Sequence, residues 1–324
     1  MARASKKKST PPAAEPEEPA GSWRDALFRP IVLFWMAMIC FAPLGYMTLR
    51  KMQSRMINSP QFQVDETSIV WKNLPDTLPE GWADRTAANL LGDKKLSVAD
   101  PKLTQEIGEK LAALPWVKSV KKVSVVYPHQ VHIDVEVRQP VVMIQIKTGY
   151  YPVDEDGILL PPSDFSQNDV QKFPVVLNPE SLPQGPAGIF WGDPAIKGAA
   201  KLAQILGKKL PGSEQPTAWK EFRLKSITLY RPQASTSPNS DVNYALIAEG
   251  GTQFLWGLGP GYEHPKEPSA DNKLKRLAHF VKDFGSPSGY PQPLEVDLRG
   301  WQEITYQPIS REKEKRLSGG KEPY

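Results

Sequence analysis

Between Leu111 and Pro140 apolar and polar positions change period in a way that lays out local structure. Leu103, Ile107, Leu111 and Leu114 recur at i, i+4, i+8 and i+11, the inner stripe of an amphipathic helix. Asp100-Pro101 supplies an N-cap acid followed by proline at the start of that helix, and Pro115 ends it. A strand follows from Trp116, turns over Tyr127-Pro128-His129-Gln130, and returns through Val131, Ile133, Val135 and Val137. That alternation has the period of a strand with one buried face. Upstream, Gln61–Val64 and Ser68–Trp71 have strand composition, and Gly81–Leu91 has helical spacing at Trp82, Leu90 and Leu91. The order over 60–139 is strand, helix, helix, strand, strand, which predicts an α+β domain with both helices on one face of a three-stranded sheet.

From Pro140 the pattern is mainly strands. They are expected at 141–146, 150–153, 158–160, 173–177, 224–230, 244–248, 252–257, 294–298 and 303–307, with helices at 195–210 and 271–283. This reads as a mostly antiparallel β domain over 140–309 carrying two helices. Asp154–Gly157 reads as a hairpin turn. The Pro- and Gly-crowded segment 178–194 reads as a loop, with Trp191 and Trp219 exposed in loops, while Trp82 and Trp116 pack the first domain.

A different pattern occupies Pro30–Leu49, twenty residues without a charge. A helix of that length covers ~30 Å, the thickness of a bilayer's hydrocarbon core. It is therefore expected to be a single transmembrane helix and to contact membrane lipid. Six basic residues precede it (Arg3, Lys6, Lys7, Lys8, Arg24, Arg29) and three follow (Arg50, Lys51, Arg55). That bias keeps the N-terminus cytoplasmic and puts the bulk of the chain outside the inner membrane. Residues 1–29 and 310–324 are polar and charged, so both are expected to be disordered tails.

Composition narrows the chemistry. Cys40 is the single cysteine and falls in the apolar run, so the outer region has neither a disulfide nor a thiolate metal site. The net charge of +4 is small for 324 residues and no basic stripe is interleaved with aromatics, so nucleic acid is not an expected partner. The four histidines, at 129, 132, 264 and 279, form no zinc pattern. Asp154-Glu155-Asp156 lacks the remaining ligands of a calcium loop. Gly257–Gly261 contains a proline and opens no helix, unlike a phosphate cradle, and no serine nucleophile elbow is present. The expectation is a chain with no catalytic residue, no metal, no cofactor and no small-molecule substrate.

Four motifs in order carry a resemblance. The first is Leu114-Pro115-Trp116-Val117, then Tyr127-Pro128, then the strand Val131 to Pro140. The second is Tyr151-Pro152-Val153-Asp154-Glu155-Asp156-Gly157; the third is Trp256-Gly257 with the helix at Lys273-Leu274; the fourth is Val296-Asp297-Leu298-Arg299. Together they resemble the bacterial cell-division family FtsQ/DivIB, whose members have a short cytoplasmic tail, one span, a POTRA domain and a β domain. Val137 stands where that family has glutamate, no clear V-x-G follows near Trp71, and 178–194 and 231–241 are departures. The resemblance implies a scaffold at the division site that joins FtsB- and FtsL-type (DivIC-type) single-span proteins and helps control septal peptidoglycan synthesis. A POTRA-bearing component of an envelope transport or assembly system is the alternative. In the family the partner adds a strand to the last strand of the β domain. Here that implies Glu303, Ile304, Thr305, Tyr306 and Gln307 as contacts, with Arg299 able to pair with a partner's acid. The edge near Phe62 and Val64 is the second expected contact surface. Proline at Thr305 is the expected way to break capture.

Overall fold

The structure, a computed structural model, describes residues 30–309 except 76, 93–94, 212 and 232–241, with the backbone alone at 30–33. The two tails and most of the 231–241 insertion lie outside the described residues. The chain divides after Phe62 into two units.

The first unit contains α1 (Pro30–Ile57), 28 residues long with Pro43 inside it. Among the described residues no helix is long and apolar enough to cross a membrane. This corrects the transmembrane helix expected over 30–49. Crossing takes about 20 predominantly apolar residues. In α1 the apolar run is interrupted at Pro43, Gly45, Tyr46 and Thr48, and Arg50, Lys51, Gln53, Ser54 and Arg55 continue the same helix.

The second unit begins with the order expected over 60–139: β1 (Ile69–Lys72), α2 (Trp82–Leu91), α3 (Leu103–Ala112), β2 (Val117–Val126) and β3 (Gln130–Val137). The sheet order is β1-β3-β2, with β1 parallel and β2 antiparallel to β3. Val131, Ile133, Val135 and Val137 are buried, as their alternation requires, and so are Leu103, Ile107 and Leu111 of α3. Asp100 caps the turn ahead of α3 by accepting from the Lys102 amide at 2.9 Å. Gln61–Val64 is not a strand. Pro60–Phe62 forms a 3-10 turn, and Asp65 caps a second one at Glu66–Ser68 by accepting the Ser68 amide. Proline and a capping acid favour turns over a ladder.

The rest is an eight-stranded sheet formed by β4 (Pro140–Ile146), β5 (Gly149–Asp154), β6 (Val175–Leu177), β7 (Leu224–Tyr230), β8 (Asn243–Ala248), β9 (Gln253–Gly257), β10 (Leu294–Asp297) and β11 (Thr305–Pro308). The order is β11-β10-β9-β8-β7-β6-β4-β5. Its pairs β4/β6, β6/β7 and β9/β10 are parallel and the other four antiparallel, so the sheet is mixed, with antiparallel pairs in a narrow majority. Parallel neighbours need long crossovers, and these hold four helices: α4 (Gln167–Val170), α5 (Pro194–Leu206), α6 (Ala218–Glu221) and α7 (Ala270–Phe284). The two long ones, α5 and α7, cover one face over Ile144, Val176, Ile227, Leu246, Phe254 and Val296. Trp191 is wholly buried, a correction to its expected exposure; its indole N–H donates to Ser181 Oγ at 3.1 Å and its ring meets Tyr151 edge-on. The segment 178–194 is thus a loop that inserts a plug into the core.

A polar and aromatic seam joins the two sheets. The Trp116 indole donates to Asp164 at 2.7 Å and its ring stacks on Phe165. Arg138 donates to Asp154 at 2.7 Å, and that carboxylate also accepts the amides of Asp156 and Ile158. Lys118 donates to Glu155 at 2.8 Å, with Glu136 and Asp156 nearby. That partner raises the Lys118 ammonium's pKa and lowers that of the Glu155 carboxyl.

Candidate partner-binding edge

β11 is the outermost strand of the large sheet at the β10 end, paired antiparallel with β10 through Leu294/Pro308, Glu295/Gln307, Val296/Tyr306 and Asp297/Thr305. All four of its residues are exposed. Just beyond it the Ile309 amide donates to the Pro293 carbonyl at 2.9 Å. Hydrogen-bonded and non-bonded pairs alternate along an antiparallel ladder. Gln307 and Thr305 therefore turn their backbone groups toward β10, and Tyr306 turns its N–H and C=O outward. Among the described residues no strand takes up that outer side. This register also corrects the role expected for Thr305: proline there removes a bond inside the sheet, whereas proline at Tyr306 removes the outward donor.

The chain matches no protein-family model and no curated protein. The edge is accordingly built from its own residues. Tyr306 shares a face with Val296, and its ring lies 5.0 Å from Phe284 and 5.8 Å from Phe280 of α7. Phe280 and Phe284 themselves stack at 4.6 Å. Half of Tyr306 and nearly half of Phe284 remain exposed, at 50% and 47%. Ile304 packs against the core just ahead of the strand, and Glu303 is exposed in the turn. On the opposite face Gln307 donates to Glu295 at 3.1 Å. A strand added here would meet aromatic rings on one side and amide and carboxylate groups on the other.

The turn leading to β11 is held by charge. Arg299 donates to both oxygens of Asp297, at 2.9 and 2.6 Å. Its guanidinium is thus already engaged within the chain, which is the fold-support role. Burial alone would raise the Asp297 carboxyl, but the hydrogen bonds from Arg299 outweigh it and hold the carboxyl below its usual range. Hydrogen bonding to Asp297 raises Arg299 further. Arg276 of α7 donates to the Trp301 carbonyl at 3.2 Å and pins the far side of the turn.

Behind the turn, Lys273 is fully buried and donates to Glu267 at 2.7 Å, with its ammonium 5.4 Å from the Trp256 ring. Burial pushes its pKa down, and Glu267 opposes the shift. Glu267 also accepts the Leu258 amide at 3.1 Å. Gly257 has φ +88°, which favours glycine, and a Cβ there would lie 1.8 Å from the Glu267 carboxylate and displace it. Tyr230, pushed up to about 12 by burial, completes the set of groups near Arg299.

Arg299, Glu303, Ile304, Thr305, Tyr306 and Gln307 thus come together around one exposed edge. Phe62 and Val64 do not join a sheet edge: Phe62 ends a 3-10 turn, and Val64 is buried with its amide donating to Leu96. Sequence reasoning missed Phe284, Arg276 and Glu295. The i, i+4 spacing of Phe280 and Phe284 signals an aromatic pair, whereas nothing local to Arg276 points to a carbonyl twenty-five residues away.

Proposed function

We propose that this chain is a scaffold that lends the outer edge of β11 to an extended segment of another protein, in the manner of the FtsQ/DivIB family, and performs no chemistry itself. The observation that carries the reading is the exposed β11 edge with the Tyr306 N–H and C=O directed away from β10. A sheet edge with unpaired backbone groups is a template for strand addition. Phe284 and Tyr306 add an apolar surface for a side chain of the incoming strand. The partners are FtsB- and FtsL-type division proteins, and the consequence of capture is control of septal wall synthesis at the division site.

The test is capture of the purified outer region of an FtsB-type protein by the full chain. Tyr306→Pro removes the outward donor and is expected to lower affinity at least tenfold. Tyr306→Ala keeps that donor and is expected to weaken binding less, through loss of the ring contact. Undiminished capture by a folded Tyr306→Pro variant overturns the edge assignment. A fluorescent fusion spread evenly over the cell, with no accumulation at mid-cell, overturns the division role.

A further inference from the structure

All four residues of β11 are exposed. Burial specifies a strand's register where one face is covered, and does so weakly where both faces are open. Yet capture depends on that register, because a slip of one residue would turn the Tyr306 N–H and C=O toward β10. Something other than burial of β11 itself must hold it in place. A buried ion pair behind the turn is connected to it. Lys273, in the first turn of α7, has 0% of its side chain exposed, and Glu267 has 9%. Such a pair adds little to stability, because taking two charges out of water costs about what their attraction returns. Apolar side chains of similar volume often serve as well or better, and what a buried pair can supply instead is one fixed arrangement of its surroundings.

Those surroundings lead to β11. One oxygen of Glu267 accepts from the Lys273 ammonium at 2.7 Å and from the Leu258 amide at 3.1 Å, so it is anchored both from α7 and from the end of β9. It occupies the space over Gly257 that a side chain would fill, and the stem of Arg299 borders the same space. A Cβ built on Gly257 lies 1.8 Å from Glu267 Oε1 and 2.9 Å from Arg299 Cγ. Beyond its stem, Arg299 donates to both oxygens of Asp297. Asp297 is the β10 residue registered with Thr305, the first residue of β11. Lys273 is thus linked to the start of the strand through Glu267, the space over Gly257, Arg299 and Asp297.

We propose that Lys273 and Glu267 are positioning residues that fix the register of β11: together they seat Arg299 over Gly257, and Arg299, holding Asp297, sets where the returning chain meets β10. Neither residue touches the incoming strand. Their effect on capture rests on the β11 reading, whereas the register itself is measurable without a partner.

The experiment is amide hydrogen exchange, with capture measured alongside, on the full chain carrying Lys273→Met and Glu267→Gln together. These changes keep the volume and leave the Leu258 amide an acceptor, so the urea midpoint is expected to match or exceed the native one. The Thr305 and Gln307 amides, which face β10, are expected to exchange at least tenfold faster, with β8 and β9 unchanged. Capture of the partner segment is expected to weaken at least tenfold. Arg299→Met is expected to loosen the same two amides, and adding it to the double change is expected to have no further effect, because the pair acts through Arg299. Should the double variant unfold, Glu267→Gln alone carries the test, with faster exchange at the same two amides expected. Native exchange at Thr305 and Gln307 in a folded variant, or effects of the pair and of Arg299 that simply add, overturns the proposal. Undiminished capture by Tyr306→Pro alongside faster exchange in the double variant sinks the β11 reading and leaves the register role standing, so the two failures are distinguishable.

Discussion

At the scale of single residues, the turn before β11 rests on ionised groups with fixed partners. Asp297 holds Arg299 in a bidentate contact, and its carboxyl is depressed below the ordinary value. A carboxyl whose pKa is lowered on folding stabilises the native state above its unfolded value, ~3.9, and that contribution is lost as pH falls through the lower folded value. The expected outcome is that Asp297→Asn removes part of the acid-side loss of stability, so the variant shows a shallower fall below about pH 4. Urea midpoints measured from pH 6 downward check this, and an unchanged slope contradicts it. The contact was only half legible in the sequence. Val296–Arg299 stood out as a motif, but the pairing of Arg299 with its neighbour two residues back, rather than with a partner's acid, is a rotamer choice that the folded turn makes.

At the scale of elements, periodicity located most strands and helices because burial on one face imposes it. The alternation from Val131 to Val137 is borne out by β3, and the 103–111 stripe by α3. Where periodicity is absent, the reading failed. Segment 178–194 has the composition of a surface loop, yet it carries Trp191 into the core; composition reports backbone preference and not where a single large ring ends up. Trp191→Ala is expected to destabilise the second unit by about 3–5 kcal/mol, through lost burial and the cavity left behind. Denaturant unfolding of the variant checks the magnitude, and a cost under about 1 kcal/mol would show that the site collapses to fill the space. Gln61–Val64 failed for the opposite reason. Its side chains alternate as in a strand, but Pro60 and Asp65 on either side set turns that the alternation does not outweigh.

At the scale of the whole molecule, from Gln63 onward both sheets belong to one compact unit. The seam depends on a buried pair: Asp154 has 2% of its side chain exposed and Arg138 16%. Removing one partner of such a pair strands the other charge, and Asp154→Ala is expected to cost about 3–5 kcal/mol. Because the seam ties the sheets, we expect one unfolding transition in the native chain, recorded alike by fluorescence and circular dichroism. Two transitions in the native chain would show that the sheets unfold independently. The apolar run at 30–49 belongs to this scale too. Read as an isolated window it spans a bilayer, but within α1 it is continuous with Arg50, Lys51 and Arg55 and contains Pro43.

The residue pattern by itself determined most of the long strands and helices, the α+β class and the position of the last strand near Tyr306, because each follows from local periodicity, capping and turn chemistry; it placed a strand at Gln61–Val64 and passed over α4 and α6. Only the tertiary structure decided which strands became neighbours, that β11 stands outermost with the Tyr306 backbone facing outward, and that Trp191 and Lys273 lie inside. Strand order and register are fixed by contacts between residues far apart in the chain, and a local pattern carries no information about which distant strand will supply the next row of hydrogen bonds.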